Sequence, residues 1–150
     1  MNTLWLDVLA AHGGRIENGE AMSFGDAAAE LRAAADGSVV VPLTGFGVLD
    51  FAGADAADFL QGQVSCDVKA LADDRSTFGT YNTPKGRMLA SFLLWRTPEG
   101  FRMLLPRAVL PAVHKRLQMF VLRAKVKVTD RSNADVLIGA SGPEAPAALS

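Results

Sequence analysis

Two turns of one pattern frame the segment that most constrains this chain. Thr83-Pro84-Lys85-Gly86 and Thr97-Pro98-Glu99-Gly100 both place proline second and glycine fourth, the preference of a type I turn. Between them runs Met88-Leu89-Ala90-Ser91-Phe92-Leu93-Leu94-Trp95, apolar on both faces, as a central strand covered on each side would be. Turns this short join antiparallel neighbours. The pattern therefore predicts strands over residues 76–82, 87–96 and 101–105, folded as an antiparallel meander.

The flanks read more loosely. Leu4, Trp5, Val8 and Leu9 recur at helical spacing over 2–12, and Gly13-Gly14 stops them. Residues 15–24 are polar and broken by glycine, and read as loop. Residues 25–35, rich in Ala, Leu, Glu and Arg, read as a helix capped by Asp26, with Asp36-Gly37-Ser38 as a turn. Strands follow over 39–43 and 47–51, broken at Thr44-Gly45. Asp55 with Asp58 three residues on suggests a capping box, opening a helix whose Ala56, Phe59 and Leu60 face the core and which Gly62 ends. A helix over 108–122 sets Leu110, Val113, Leu117 and Phe120 on one face, with Pro111 in its first turn. Lys125-Val126-Lys127-Val128-Thr129 alternates like a half-exposed edge strand. Residues 134–140 are one more strand, Gly142-Pro143 breaks it, and 144–150 begin a helix-like stretch.

This order of elements is that of an α+β fold, an antiparallel sheet with helices. The chain divides into an N-terminal helical segment over 1–38 and a sheet-bearing domain over 39–150. The last strand has little after it to pack against, so the domain reads as incomplete. Self-association through the unfinished sheet is one consequence, since apolar surface would be left uncovered.

Composition excludes several classes. Fifteen Lys+Arg against 16 Asp+Glu give a net charge of -1, with no global attraction to nucleic acid or anionic membrane. At 49% hydrophobic and 21% charged residues, the chain is of folding composition. The single cysteine, Cys66, makes neither an internal disulfide nor a Cys-rich zinc site, which fits a reducing cytosol. His12 and His114 supply little for a metal. No apolar run approaches the roughly 20 residues of a membrane helix, and the start lacks the basic region of a secretory signal. The reading is a cytoplasmic protein without a metal site, with no nucleic acid or membrane as direct partner.

The candidate chemistry gathers at the first turn. Tyr81, Asn82, Lys85 and Arg87 bring a phenol, an amide, an ammonium and a guanidinium together at one hairpin end. Lys and Arg suit a ligand carboxylate or phosphate, and an amide suits a heterocycle with mixed edges. The bland alternative is a solvated hairpin tip. Gln61 and Gln63 flank Gly62 at a helix end, where amides commonly satisfy orphan backbone groups. Cys66 beside Asp67 lacks the electropositive setting of a reactive thiolate and reads as packed. His114, between Val113 and the basic pair Lys115-Arg116, reads as solvent-facing, and His12 as a helix end. Lys115, Arg116, Arg123, Lys125, Lys127 and Arg131 form a basic cluster without the exposed aromatics of a nucleic-acid site.

Phe59-Leu60-Gln61-Gly62-Gln63-Val64 with Asp67-Val68, together with Pro84-Lys85-Gly86-Arg87-Met88, resembles the YgfZ-type folate-binding proteins, relatives of the glycine-cleavage T-protein (aminomethyltransferase). The likeness runs on through Gly53-Ala54-Asp55-Ala56, Leu94-Trp95-Arg96 and Gly142-Pro143. It implies the N-terminal half of a folate-binding fold of repeated subdomains. It also implies tetrahydrofolate or a derivative as cofactor, and support of iron–sulfur enzymes, including those that modify tRNA, which would be the partners. The folate-proximal segments correspond to Phe46 and to Asn82, Lys85 and Arg87, which with Tyr81 make the candidate cofactor-binding set. The T-protein carries an aspartate pair where this chain has Leu89 and Ala90, so aminomethyl transfer lacks its acid/base or electrostatic group. The cysteine motif that YgfZ-type proteins carry well downstream is not matched by Cys66. The leading expectation is a folate-binding accessory protein without catalytic residues. A one-carbon transferase using Asp50 or Asp67 instead, and a non-catalytic interaction module, are the alternatives.

Overall fold

The computed structural model describes residues 2–148. In chain order the elements are α1 (Thr3–Ala11), β1 (Arg15–Glu17), β2 (Glu20–Ser23), α2 (Ala27–Asp36), β3 (Val39–Pro42), β4 (Phe46–Ala52) and α3 (Ala56–Gln61). They continue with β5 (Ser76–Asn82), β6 (Met88–Thr97), β7 (Gly100–Pro106), α4 (Leu110–Val121), β8 (Lys127–Asp130), β9 (Ile138–Ser141) and α5 (Ala145–Ala148). This is the expected α+β fold, and the described residues form two compact units, 46–132 and 2–45 with 133–148.

The larger unit is a five-stranded antiparallel sheet in the order β5-β6-β7-β4-β8. The expected meander is its first three strands. One face carries the core: Leu49 and Phe51 of β4, Met103 and Phe101 of β7, and Phe92 and Leu94 of β6. α3 lays Ala56, Phe59 and Leu60 against it, and α4 adds Leu110, Val113 and Leu117. Each of the Val, Leu, Met and Phe side chains among these, when fully buried, contributes about 1.5–3 kcal/mol. Strand alternation sends Val48 and Phe46 to the other face.

That second face corrects the reading of the middle strand. Ala90, Phe92 and Leu94 are buried, but Ser91 is exposed and Leu93 and Trp95 are only half-buried. Phe78, paired with Leu93, is 80% exposed. The apolar pattern of β6 therefore marks a strand covered on one side and open on the other. Phe120 departs similarly: it is exposed, and the Arg116 guanidinium lies 5.8 Å from its ring centroid. Asp55 makes no capping bond to α3, because its carboxylate accepts from the Lys125 backbone N–H at 2.7 Å.

In the smaller unit the segment read as loop is the β1–β2 hairpin, with Glu17 paired to Glu20 across Asn18-Gly19. Both loop residues have positive φ, 50° and 81°, the geometry for which Asn-Gly is the strongest short signal. α2 is capped as expected, Asp26 Oδ1 accepting from Ala28 N and Ala29 N. β3 pairs antiparallel with β9, so residues 39–45 and 133–148 fold with the N-terminal segment. The boundary expected at residue 38 thus falls after Gly45, and the chain re-enters the first unit at Asn133. A long-range strand pairing makes this division, which no local pattern announces. The expected strand over 134–140 is shortened to Ile138–Ser141, and the end of the expected terminal helix, residues 149–150, lies outside the described residues. No helix among the described residues is long and apolar enough to cross a membrane.

Candidate functional site

The first turn closes through its own backbone. Gly86 N donates to Thr83 O at 2.8 Å, Thr83 N to Arg87 O at 2.8 Å, and Arg87 N to the Thr83 hydroxyl at 3.1 Å. Gly86 has φ +79°, with open space where a Cβ would stand, the left-handed position that ends such a loop. A register shift between Tyr81 and Asn82 accompanies it, so Asn82 pairs with Met88 while Tyr81 pairs with Ala90. Lys85 and Arg87 project from this turn, both exposed.

Asn82 is held in place. Its Nδ2 donates to Thr80 Oγ1 at 3.1 Å, and the Thr80 hydroxyl donates to Ser65 Oγ at 3.0 Å. Ser65 also joins the sheet edge through the backbone, its N–H donating to Thr80 O at 3.0 Å. The segment following α3 is thereby pinned beside β5, and Val64 forms a bridge with Tyr81. This brings the Gln61-Gly62-Gln63 element next to the charged turn. The two amides then part company. Gln61 Oε1 accepts from Val68 N and Lys69 N at 2.8 and 3.0 Å, a structural cap, whereas Gln63 lines a cleft.

That cleft, about 380 Å³, is walled by Gln63, Tyr81, Asn82, Pro84, Arg116 and Phe120 among others. Arg116 is the functional candidate that sequence reasoning passed over, having placed it in a basic cluster. Its signal was the spacing to Phe120, one helical turn on. Tyr81 is 2% exposed and belongs to the core beneath. Phe46, 38% exposed, stands at the start of β4. Two strands separate β4 from β5, so about 14 Å of sheet lies between Phe46 and the first turn. Thr80 is on that same face, opposite the core, and Asn82 bonds to it. The structure thus joins Asn82, Lys85 and Arg87 at one hairpin end, sets Phe46 across the open sheet face from them, and uses Tyr81 as support.

The other candidates have local duties. Asp50 forms an ion pair with Arg102 at 3.2 Å across β4 and β7, and Asp67 Oδ1 accepts from Ala70 N at 3.2 Å. Leu89 is half-buried and Ala90 buried, with no carboxylate at either place. His114, expected to face solvent, donates through Nε2 to the Val128 carbonyl at 3.2 Å and ties α4 to β8. Burial pushes the Cys66 thiol above its ordinary range, and neighbouring Asp67 adds to this. Among the described residues no group of three His, Cys, Asp or Glu could hold a metal ion.

Residues 12–150 match the GCVT N-terminal domain. The chain belongs to that family. Similar proteins include the tRNA-modifying protein YgfZ of Photobacterium profundum, 33% identical over 110 residues that make up 73% of this chain and 33% of that protein. The tRNA-modifying protein YgfZ of Sodalis glossinidius is 32% identical over 114 residues, 73% of this chain and 34% of that one. This GCVT-family chain therefore spans about a third of the length of these curated relatives. Its fold is that of the glycine cleavage system aminomethyltransferase T from Bartonella henselae, with a TM-score of 0.81 at 18% identity over 97% of this chain and 41% of that one.

Proposed function

We propose that this chain binds a reduced folate, tetrahydrofolate or a derivative, and serves as a non-catalytic accessory to iron–sulfur enzymes, including enzymes that modify tRNA. The observation that carries the folate reading is the arrangement on the sheet face opposite the core, which is exposed at β5 and β6. An exposed aromatic, Phe46, stands at one side, and a held amide with two exposed cations, Asn82, Lys85 and Arg87, stands about 14 Å away across the strands. A folate is an extended molecule with a flat pteridine at one end and carboxylates at the other. The ring takes the aromatic wall, and the carboxylates take the ammonium and guanidinium.

The accessory role is supported by what the site lacks in carboxylates. Leu89 and Ala90 offer no acid or base, and Asp50 is spent on Arg102. The names of the relatives, tRNA-modifying proteins, support the link to tRNA modification. Calorimetric titration with 5-formyltetrahydrofolate tests the binding. Saturable heat that is lost in the Lys85→Ala/Arg87→Ala double variant is the expected result. No heat from the folded wild-type chain would overturn the reading.

A further inference from the structure

We propose that two copies of this chain associate through the free edge of β3, each laying that strand into an apolar groove of the other. The proposal stands apart from the folate reading and gives a place to the self-association expected from an unfinished sheet.

The smaller unit leaves its apolar surface uncovered. Among its described residues Leu9 is the one buried hydrophobic side chain. α2 has ten residues and buries none of them, and a helix that short is marginal without packing. β3 and β9 form a sheet of two strands, which is marginal alone as well. Beside β3, bounded by β2 and α2, lies a groove of about 550 Å³ whose walls include Met22, Phe24, Leu31, Val40 and Val41. All five are exposed, Leu31 by 72% and Val40 by 64%. A contiguous apolar patch of this kind marks an interaction site.

The backbone shows what kind of neighbour fits. Leu43 N donates to Leu137 O at 3.0 Å, which with the register of β3 on β9 fixes the alternation of the ladder. Val39 and Val41 bond to β9, so the N–H and C=O of Val40 point to the other side. No strand pairs with that side among the described residues. Pro42, which has no N–H to offer, suits such an edge. The main sheet closes its edges by contrast. Ser65 N donates to Thr80 O beside β5, and β8 carries the exposed Lys127 and gives its Val128 carbonyl to His114. β3 has neither device against pairing.

A second copy is the occupant. Across a two-fold axis at Val40, the two Val40 residues exchange both backbone bonds, and Val39 of one copy faces Val41 of the other. The strand is Val39-Val40-Val41-Pro42, so this pairing sets no like charges opposite one another. The product is a four-stranded sheet in the order β9-β3-β3-β9, with the valines of each β3 in the groove of the other copy.

Sedimentation velocity on the whole chain across a dilution series tests this. Wild type is expected to show a monomer–dimer equilibrium that stops at the dimer, since an isologous contact closes on itself. Val40→Lys, which puts a charge on the edge, weakens the dimer by about tenfold or more. Phe78→Lys, on the edge strand β5, leaves it unchanged. Amide hydrogen exchange reads the same contact without a variant, and carries the test if Val40→Lys does not fold. The Val40 N–H is protected in concentrated solution and exchanges freely on dilution, whereas the Val41 N–H, bonded to β9, is slow in both. A wild type that stays monomeric, or a dimer that survives in folded Val40→Lys, would overturn the proposal. So would loss of the dimer in Phe78→Lys, or free exchange of the Val40 N–H within the dimer.

Discussion

The two Thr-Pro-x-Gly turns share one pattern and end in different circumstances. In the second, Thr97 pairs directly with Gly100, and the Glu99 carbonyl accepts from Gly53 N at 3.0 Å. Gly100 has φ +155°, and a Cβ there would collide with the Phe51 carbonyl oxygen. In the first, the loop runs from Thr83 to Arg87 and Gly86 has nothing within 4 Å of a Cβ position. One turn is fastened to the sheet beside it, and the other stands free with its cations exposed. The same local grammar thus makes a structural joint in one place and an exposed, cationic tip in the other, according to what packs against it.

The comparison can be broken most forcefully at the glycines. Gly100→Ala is expected to cost about 2–4 kcal/mol, from strain and collision with β4, read as a lower midpoint in urea unfolding. An effect under about 1 kcal/mol would show that the second turn is not fastened. Next in size, Lys85→Ala and Arg87→Ala each weaken folate binding by about 1–3 kcal/mol, yet shift stability by no more than about 0.5 kcal/mol. Gly86→Ala meets only the left-handed backbone penalty, about 1–2 kcal/mol, and this stays smaller than the loss at Gly100. Glu99→Lys sharpens the contrast further. It places a lysine at the matching point of the second turn and should leave folate affinity unchanged, so a gain in affinity there would locate the ligand elsewhere.

The smallest effect lies at Cys66, beside the strand that leads into the first turn. Cys66 packs close to Gly79, where a Cβ would come within 2.8 Å of its sulfur, and burial raises its pKa. A thiol whose folded pKa exceeds the unfolded one contributes stability in full below the unfolded pKa, and loses it as pH rises through the folded value. Stability should therefore decline on the alkaline side, above the ordinary thiol range near about 8.5, and less so in Cys66→Ser. Alkylation of the folded chain by iodoacetamide at neutral pH should be slow, since a raised pKa leaves little thiolate, and fast modification would contradict that direction.

Elements were legible wherever side chains within a few residues of one another decided them. Asp26 caps α2, Pro111 opens α4, and Ala56, Phe59 and Leu60 turn inward together. The hairpin at Asn18-Gly19 was equally legible in principle and was obscured by its polar flanks, Glu17 and Glu20, which lie on a short exposed ribbon. Asp55 misled for the opposite reason, because the donor it serves, Lys125 N, is remote in sequence. At the candidate site, the turn chemistry of Asn82, Lys85 and Arg87 is written within six residues. The nearness of Gln63 and Arg116 is not, since β5, β6 and β7 lie between them in sequence.

By itself the sequence determined the α+β class, the meander and the charged turn, because period, capping and turn residues act through neighbours along the chain. Only the tertiary structure decided that β3 pairs with β9 and not with the main sheet, that β6 is open on one face, and that the buried Arg116 Nε lacks a hydrogen-bond partner in a cleft it shares with Asn82. The physical reason is common to all three. Each depends on which distant backbone or side chain arrives to satisfy a hydrogen bond, cover an apolar face or balance a charge, and such arrivals are set by packing among elements whose local sequences carry no record of one another.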